Sequence, residues 1–162
     1  MIDFTFKSIS LLKSNLLYFY NTASAGAIGK YDFTTFTDGW TTGLQLAPHP
    51  SATKEDICLF GNGRYVGVYI AETNSMTVDK LDFGADMEVA DIIYQGGLWY
   101  IAVNSNVAGT NRVEGNVFLY DGAALINTLT DETGTGMQRI GFLYRINGII
   151  YIAYQDTSSA GF

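Results

Sequence analysis

The side chains in this chain that could do chemistry are few: one histidine, one cysteine, two tryptophans, and nine basic residues against sixteen acidic ones. His49 sits in Pro48-His49-Pro50 with no nucleophile motif beside it, so the base of a nucleophile–base pair has no visible partner. Cys58 lies in the apolar run Ile57-Cys58-Leu59-Phe60 and reads as a small buried hydrophobe. Being alone, it cannot form an internal disulfide. Asp79, Asp82, Asp86, Glu88 and Asp91 offer hard oxygens, but their spacing departs from the Asp-x-Asp-x-Asp-Gly calcium loop. They read instead as solvated strand edges, where charge discourages edge-to-edge pairing. Gly134-Thr135-Gly136 lacks the Lys-Ser/Thr pair and following helix of a phosphate loop. The expectation is a chain with no catalytic residues, no metal and no cofactor.

Charge narrows the partners. The net charge of -7, with basic residues scattered along the chain, argues against a nucleic-acid groove, which needs clustered Lys or Arg. Eight of the sixteen acids fall between residues 55 and 91, so one face or edge should be negative. Neither a basic start followed by an apolar stretch nor an apolar run of membrane-spanning length is present. The expectation is therefore no cleaved export signal and no membrane insertion.

These residues are positioned by a repeat. A 48% hydrophobic content with 14% aromatic residues, interleaved with Gly, Ser, Thr and Asn, favours half-buried strands and tight turns. Four similar hairpins lie near residues 9–20, 56–69, 91–103 and 139–154, each an apolar strand, a short polar or glycine turn and a Tyr-rich strand. Asn-Gly and Gly-Gly turns supply the positive φ angles of a type I′ hairpin. Gly63, Gly97 and Gly148, with Asn15 in the first copy, are spaced by 48, 34 and 51 residues, which is the spacing of four-stranded propeller blades. Third strands are expected at 29–33, 76–83 and 116–122, and a fourth should follow before the next hairpin. Residues 43–55, 104–115 and 128–136 read as exposed connections. The periodicity is near two and no helix is expected. The fold class is all-β, an antiparallel repeat forming a small or partial β-propeller of about 3.5 to 4 blades within one domain over 1–162. The last blade lacks strands, and Ile2–Phe6 is a candidate to pair into it.

Asp56-Ile57 through Gly61-Asn62-Gly63-Arg64-Tyr65-Val66 resembles the repeated hairpin of sialidase-like, Asp-box β-propellers, and Thr37-Asp38-Gly39-Trp40-Thr41 is similar to a shortened Asp-box turn. Phe83-Gly84-Ala85-Asp86 and Tyr120-Asp121-Gly122-Ala123 keep fragments of that turn. The resemblance implies a corner held by an Asp carboxylate that accepts backbone N–H groups, with Trp packed beneath the blade. Catalysis in that family would require clustered arginines with a Tyr–Glu pair and a general acid. Arg64, Arg112, Arg139 and Arg145 fall in different repeats.

The leading expectation is a non-catalytic β-propeller module for assembly or surface recognition. It resembles virion structural proteins, such as phage tail or capsid-decorating components, at a virion or extracellular surface. Its partners would be other protein chains, as a homo-oligomer or with virion components. The alternative is a carbohydrate-binding propeller that recognises surface glycans, with Asp38, Trp40 and Trp99 as candidate ligand-binding residues. The third reading is a glycosidase fragment.

Overall fold

The computed structural model describes residues 6–11, 17–21, 27–31, 36–41, 50–70, 72–73, 75–106, 113–129 and 137–154, with side chains from Pro50 onward except at 76, 106, 113 and 137. It divides into two compact units, Met1–Asp82 and Phe83–Phe162. Among the described residues every regular element is a strand and every ladder is antiparallel.

The first unit holds two four-stranded meanders. One runs β1 (Phe6–Leu11), β2 (Leu17–Asn21), β3 (Ala27–Tyr31) and β4 (Phe36–Thr41). The other runs β5 (Ser51–Lys54), β6 (Ile57–Asn62), β7 (Tyr65–Ile70) and β8 (Ser75–Asp82). Within the second meander, β6 is buried at every position from Cys58 to Asn62, so this central strand is covered on both faces. Gly67 pairs with Phe60, whose ring occupies the space a Cβ would take. Cys58 is buried as the apolar run implied.

The second unit begins with β9 (Met87–Gln95), β10 (Leu98–Asn106), β11 (Val113–Tyr120) and β12 (Leu125–Leu129) in one meander. The short β13 (Met137–Gln138) pairs with β11 at Glu114 and Gly115. The hairpin of β14 (Ile140–Ile146) and β15 (Ile149–Tyr154) completes the unit as a two-stranded sheet.

The hairpin repeat and the all-β blade-like architecture are present, and among the described residues three of the four sheets reach at least four strands, as in a partial propeller. Three details differ from the sequence expectation. In the second sheet no fourth strand follows β8. The extra strand is β5, upstream, in a stretch read as connection. β10 and β11 also extend well into the segment 104–115 read as a loop. The β6–β7 turn is Gly63-Arg64, flanked by the pair Asn62 and Tyr65, with positive φ at Gly63 only. That is the type II′ pattern, whereas Gly96-Gly97 and Asn147-Gly148 are positive at both residues, as type I′ requires. The turn around Asn15, residues 2–5 of the segment Ile2–Phe6 expected to pair into the last blade, and the polar segments 107–112 and 130–136 lie outside the described residues.

Candidate interaction face

Each four-stranded row of the β9–β12 sheet puts register partners on one face. Asp91, Ala102, Val117 and Leu129 form one such row, and Ile93 and Tyr100 extend the same face. The β14–β15 hairpin packs there: Ile140 and Leu143 join Ala102 and Val117 in a buried cluster flanked by Ala90, Ile93, Tyr100, Leu129 and Ile152.

Polar pins fix this contact. Asn104, buried, donates from Nδ2 to the Ile140 carbonyl at 2.9 Å and accepts the Ile140 N–H at Oδ1 at 2.8 Å. Asp91 accepts the Leu143 N–H at 2.7 Å and the Ile92 N–H at 2.8 Å. Burial pushes the Asp91 carboxyl above its usual range, and the two backbone donors partly offset that shift. Asp91 is therefore not one of the solvated edge acids; it holds the next hairpin in place. Near the hairpin tip, Gln95 Nε2 donates to the Gly148 carbonyl, and an apolar cleft of about 350 Å³ opens between Gln95, Tyr100, Leu129, Ile149, Ile150 and Ile152.

Among the described residues, the outward face of the hairpin is largely exposed. The register pairs Phe142–Ala153, Tyr144–Tyr151 and Ile146–Ile149 alternate with the inward pairs Leu143–Ile152 and Arg145–Ile150. Ile149 is 57% exposed, Phe142 54%, Ile146 50%, Tyr151 40% and Tyr144 38%. The Tyr144 and Tyr151 rings stack with centroids 5.2 Å apart, and Phe142 lies 5.7 Å from Tyr144. This is a contiguous aromatic and aliphatic surface without a charged member, of a kind that marks interaction sites on soluble proteins.

Of the candidate ligand-binding residues Asp38, Trp40 and Trp99, the structure describes the side chain of Trp99. Trp99 is 3% exposed, on the opposite face of β10, with its ring 4.7 Å from that of Tyr94, its register partner. It is core and offers no ring face to a ligand. Asp38 and Trp40 lie in β4, with Trp40 paired to Ile28, and their side chains are outside the described residues. Asp121 closes the turn between β11 and β12. Its Oδ1 accepts the N–H groups of Ala123 at 2.7 Å and Ala124 at 2.8 Å, which holds its carboxyl below the usual range. Tyr120 donates to the Gly122 carbonyl at 2.6 Å across the same corner. Arg64 forks onto Asp82 at the sheet edge, with Nε 3.1 Å from Oδ1 and Nη2 donating to Oδ2 at 3.2 Å.

Among the described residues no group of three or more His, Cys, Asp or Glu side chains is arranged to hold a metal ion, and no helix is long and apolar enough to cross a membrane. No family model and no curated protein matches the sequence. Two solved structures resemble the fold. The computationally designed Ika8 protein matches at a TM-score of 0.54 and 12% identity, over 93% of this chain and 46% of its own. An α-L-arabinofuranosidase from Clostridium thermocellum matches at a TM-score of 0.47 and 17% identity, over 94% of this chain and 61% of its own. The chain thus spans about half the length of the designed protein, and the likeness is one of fold.

Proposed function

We propose that the chain is a non-catalytic blade-repeat module for assembly, in which the outward face of β14–β15 makes a protein–protein contact of the sort a virion or other surface structure is built from. The observation carrying this reading is that five large apolar side chains on one face of a regular hairpin stand half exposed, while the inward face is pinned to its neighbour by Asn104 and Asp91. Such a surface is stabilised by covering it with another apolar face. A lectin would instead need an exposed aromatic ring beside polar groups. Trp99, one of the residues considered for that role, is buried.

Sedimentation velocity at micromolar concentration tests the reading. Assembly predicts a particle larger than one chain for the wild type, and a shift toward the single chain for Tyr151→Asp with unchanged circular dichroism. A wild type that sediments as one chain and binds no other protein sinks it. So does turnover of an aryl glycoside that a single carboxylate substitution abolishes.

A further inference from the structure

In each of the three larger sheets the hairpin's second strand is paired on its far edge by a third: β3 on β2, β8 on β7 and β11 on β10. Among the described residues β15 has β14 on one edge and no strand on the other. The β9–β10 and β14–β15 hairpins align on their two-residue turns, Gly96-Gly97 and Asn147-Gly148, and on a bulge at Ala90 and at Gly141. Phe142 then corresponds to Asp91, Ile150 to Trp99, Ile152 to Ile101 and Tyr154 to Val103. In an antiparallel ladder the main-chain groups of alternate residues point to opposite edges. Trp99, Ile101 and Val103 face Tyr120, Phe118 and Asn116 of β11. By the same register Ile150, Ile152 and Tyr154 turn their N–H and C=O groups to the open edge of β15. The Leu143 N–H agrees with this register: opposite Ile152, it points away from β15 and is bound by Asp91.

Beside this edge lies the apolar cleft of about 350 Å³, with Tyr100, Val117 and Leu129 on one side and Ile150 and Ile152 on the other. A strand added to β15 would aim into that space the side chains opposite Ile150 and Ile152, because register partners share a face. In β11 the equivalent positions hold Tyr120 and Phe118, and Tyr120 is fully buried. β8 puts Leu81 opposite Val66, the residue at the same distance past its own turn. In both strands the next residue is an aspartate, Asp121 or Asp82. β15 also lacks the devices that protect an edge. Ile149–Tyr154 carries neither charge nor proline, and its ladder is regular from Ile149 to Ala153. β8, outermost in its sheet, carries Asp79, Lys80 and Asp82 and a register shift. Residues 137–154 hold Arg139 and Arg145 and no acid, which suits an incoming strand that ends in aspartate.

We infer that the far edge of β15 is a strand-acceptor site, completed by an extended segment of another polypeptide. That segment has the pattern of this repeat's third strands: large apolar side chains opposite Ile152 and Ile150, then an aspartate. It gains main-chain hydrogen bonds along the edge and fills the cleft with alternate side chains. The site lies on the edge and inward side of the hairpin, so it stands or falls separately from the assembly contact of the outward face.

A synthetic peptide that copies Glu114–Gly122 is the probe, and amide hydrogen exchange of the full chain is the readout. Without peptide, the Ile150, Ile152 and Tyr154 amides should exchange as open edge groups. With excess peptide they should slow by at least ~10-fold. N-methylation of the peptide at the residue copying Phe118 or Tyr120 should abolish that protection, since those N–H groups face β15. N-methylation at the residue copying Leu119, whose N–H faces away, should preserve it. In the protein, Ile150→Pro removes an N–H that β14 does not use, so it should block the peptide and leave the hairpin folded. Where that variant unfolds the hairpin, the N-methyl series decides alone. Slow exchange at these three amides before peptide is added overturns the site, because the chain then fills its own edge. No slowing at about 1 mM peptide, or equal tolerance of the Phe118 and Leu119 N-methyl groups, overturns it too. So does protection that appears along β10 in place of β15.

Discussion

The third and fourth hairpins share a turn type, a bulge and a register, yet they treat the blade that follows them in opposite ways. On the β9–β12 sheet, Asn104 and Asp91 bind the backbone of the incoming hairpin at Ile140 and Leu143. On the β14–β15 hairpin, Phe142 stands where Asp91 stood, and the face is aromatic and aliphatic throughout. Directional hydrogen bonds to a backbone fix register and suit a permanent contact within a chain. An apolar face fixes area rather than register, and suits a contact made after folding.

Breaking the pinned side should be costly. Asn104→Ala removes both bonds to Ile140 and leaves its N–H and C=O buried without partners, which should cost about 3 kcal/mol in urea denaturation. Gly115→Ala comes next, since a Cβ there would lie 2.5 Å from the Ile140 side chain and 2.8 Å from the Gln138 carbonyl oxygen. A loss of roughly 2 kcal/mol, with the hairpin loosened from β11, is expected. Asp91→Asn should cost about 1 kcal/mol, because the amide can accept from only one of the two N–H groups.

The two aspartates that accept backbone N–H groups, Asp91 within β9 and Asp121 in the β11–β12 turn, should part company on titration. The folded-state pKa of Asp91 is raised, so the native state holds that proton more tightly than the unfolded chain. Its ionisation therefore lowers stability as pH climbs from the ordinary aspartate value through the raised one, and Asp91→Asn should remove that slope. Asp121, with a lowered pKa, contributes stability that is present above the ordinary value and lost as pH falls through the depressed one. Asp121→Ala should differ from wild type at neutral pH and converge with it in acid. Thermal melts across pH 2 to 7 on the two variants check both signs. The smallest effect is expected at Glu55, a non-glycine residue with φ of 51° in the β5–β6 turn. Glu55→Asn, which tolerates that conformation better, should stabilise by about 0.5 kcal/mol.

Much of this fold was legible because hairpins announce themselves locally. Gly96-Gly97 and Asn147-Gly148 fix turn and register within a dozen residues, and the apolar, Tyr-rich stretches beside them read as strands. What escaped was non-local or weakly patterned. Ser51–Lys54 is a short strand of mostly polar residues with no turn dipeptide to frame it, and it pairs only because β6 presents an edge. Asp91 looks like its acidic neighbours until Leu143, 52 positions along the chain, donates to it. Trp99 and Tyr151 are both aromatic residues in strands, and residue type does not say which face is turned to the core. The exposed outward face had no signal of its own in the sequence, and its composition becomes a surface once the register of β14 and β15 is known.

The burial of Cys58 has a practical consequence for following how the molecule opens. Its sulfur sits in β6 of the first unit, while Trp99 lies in the core of the second. A thiol reagent can reach Cys58 only when that sheet parts, so the labelling rate reads the opening free energy of one unit. Mutating Trp40 to Phe leaves Trp99 emission to report the other unit. One chain then carries two separate native clocks, and a difference in their rates shows whether the two halves unfold as one cooperative body or in sequence.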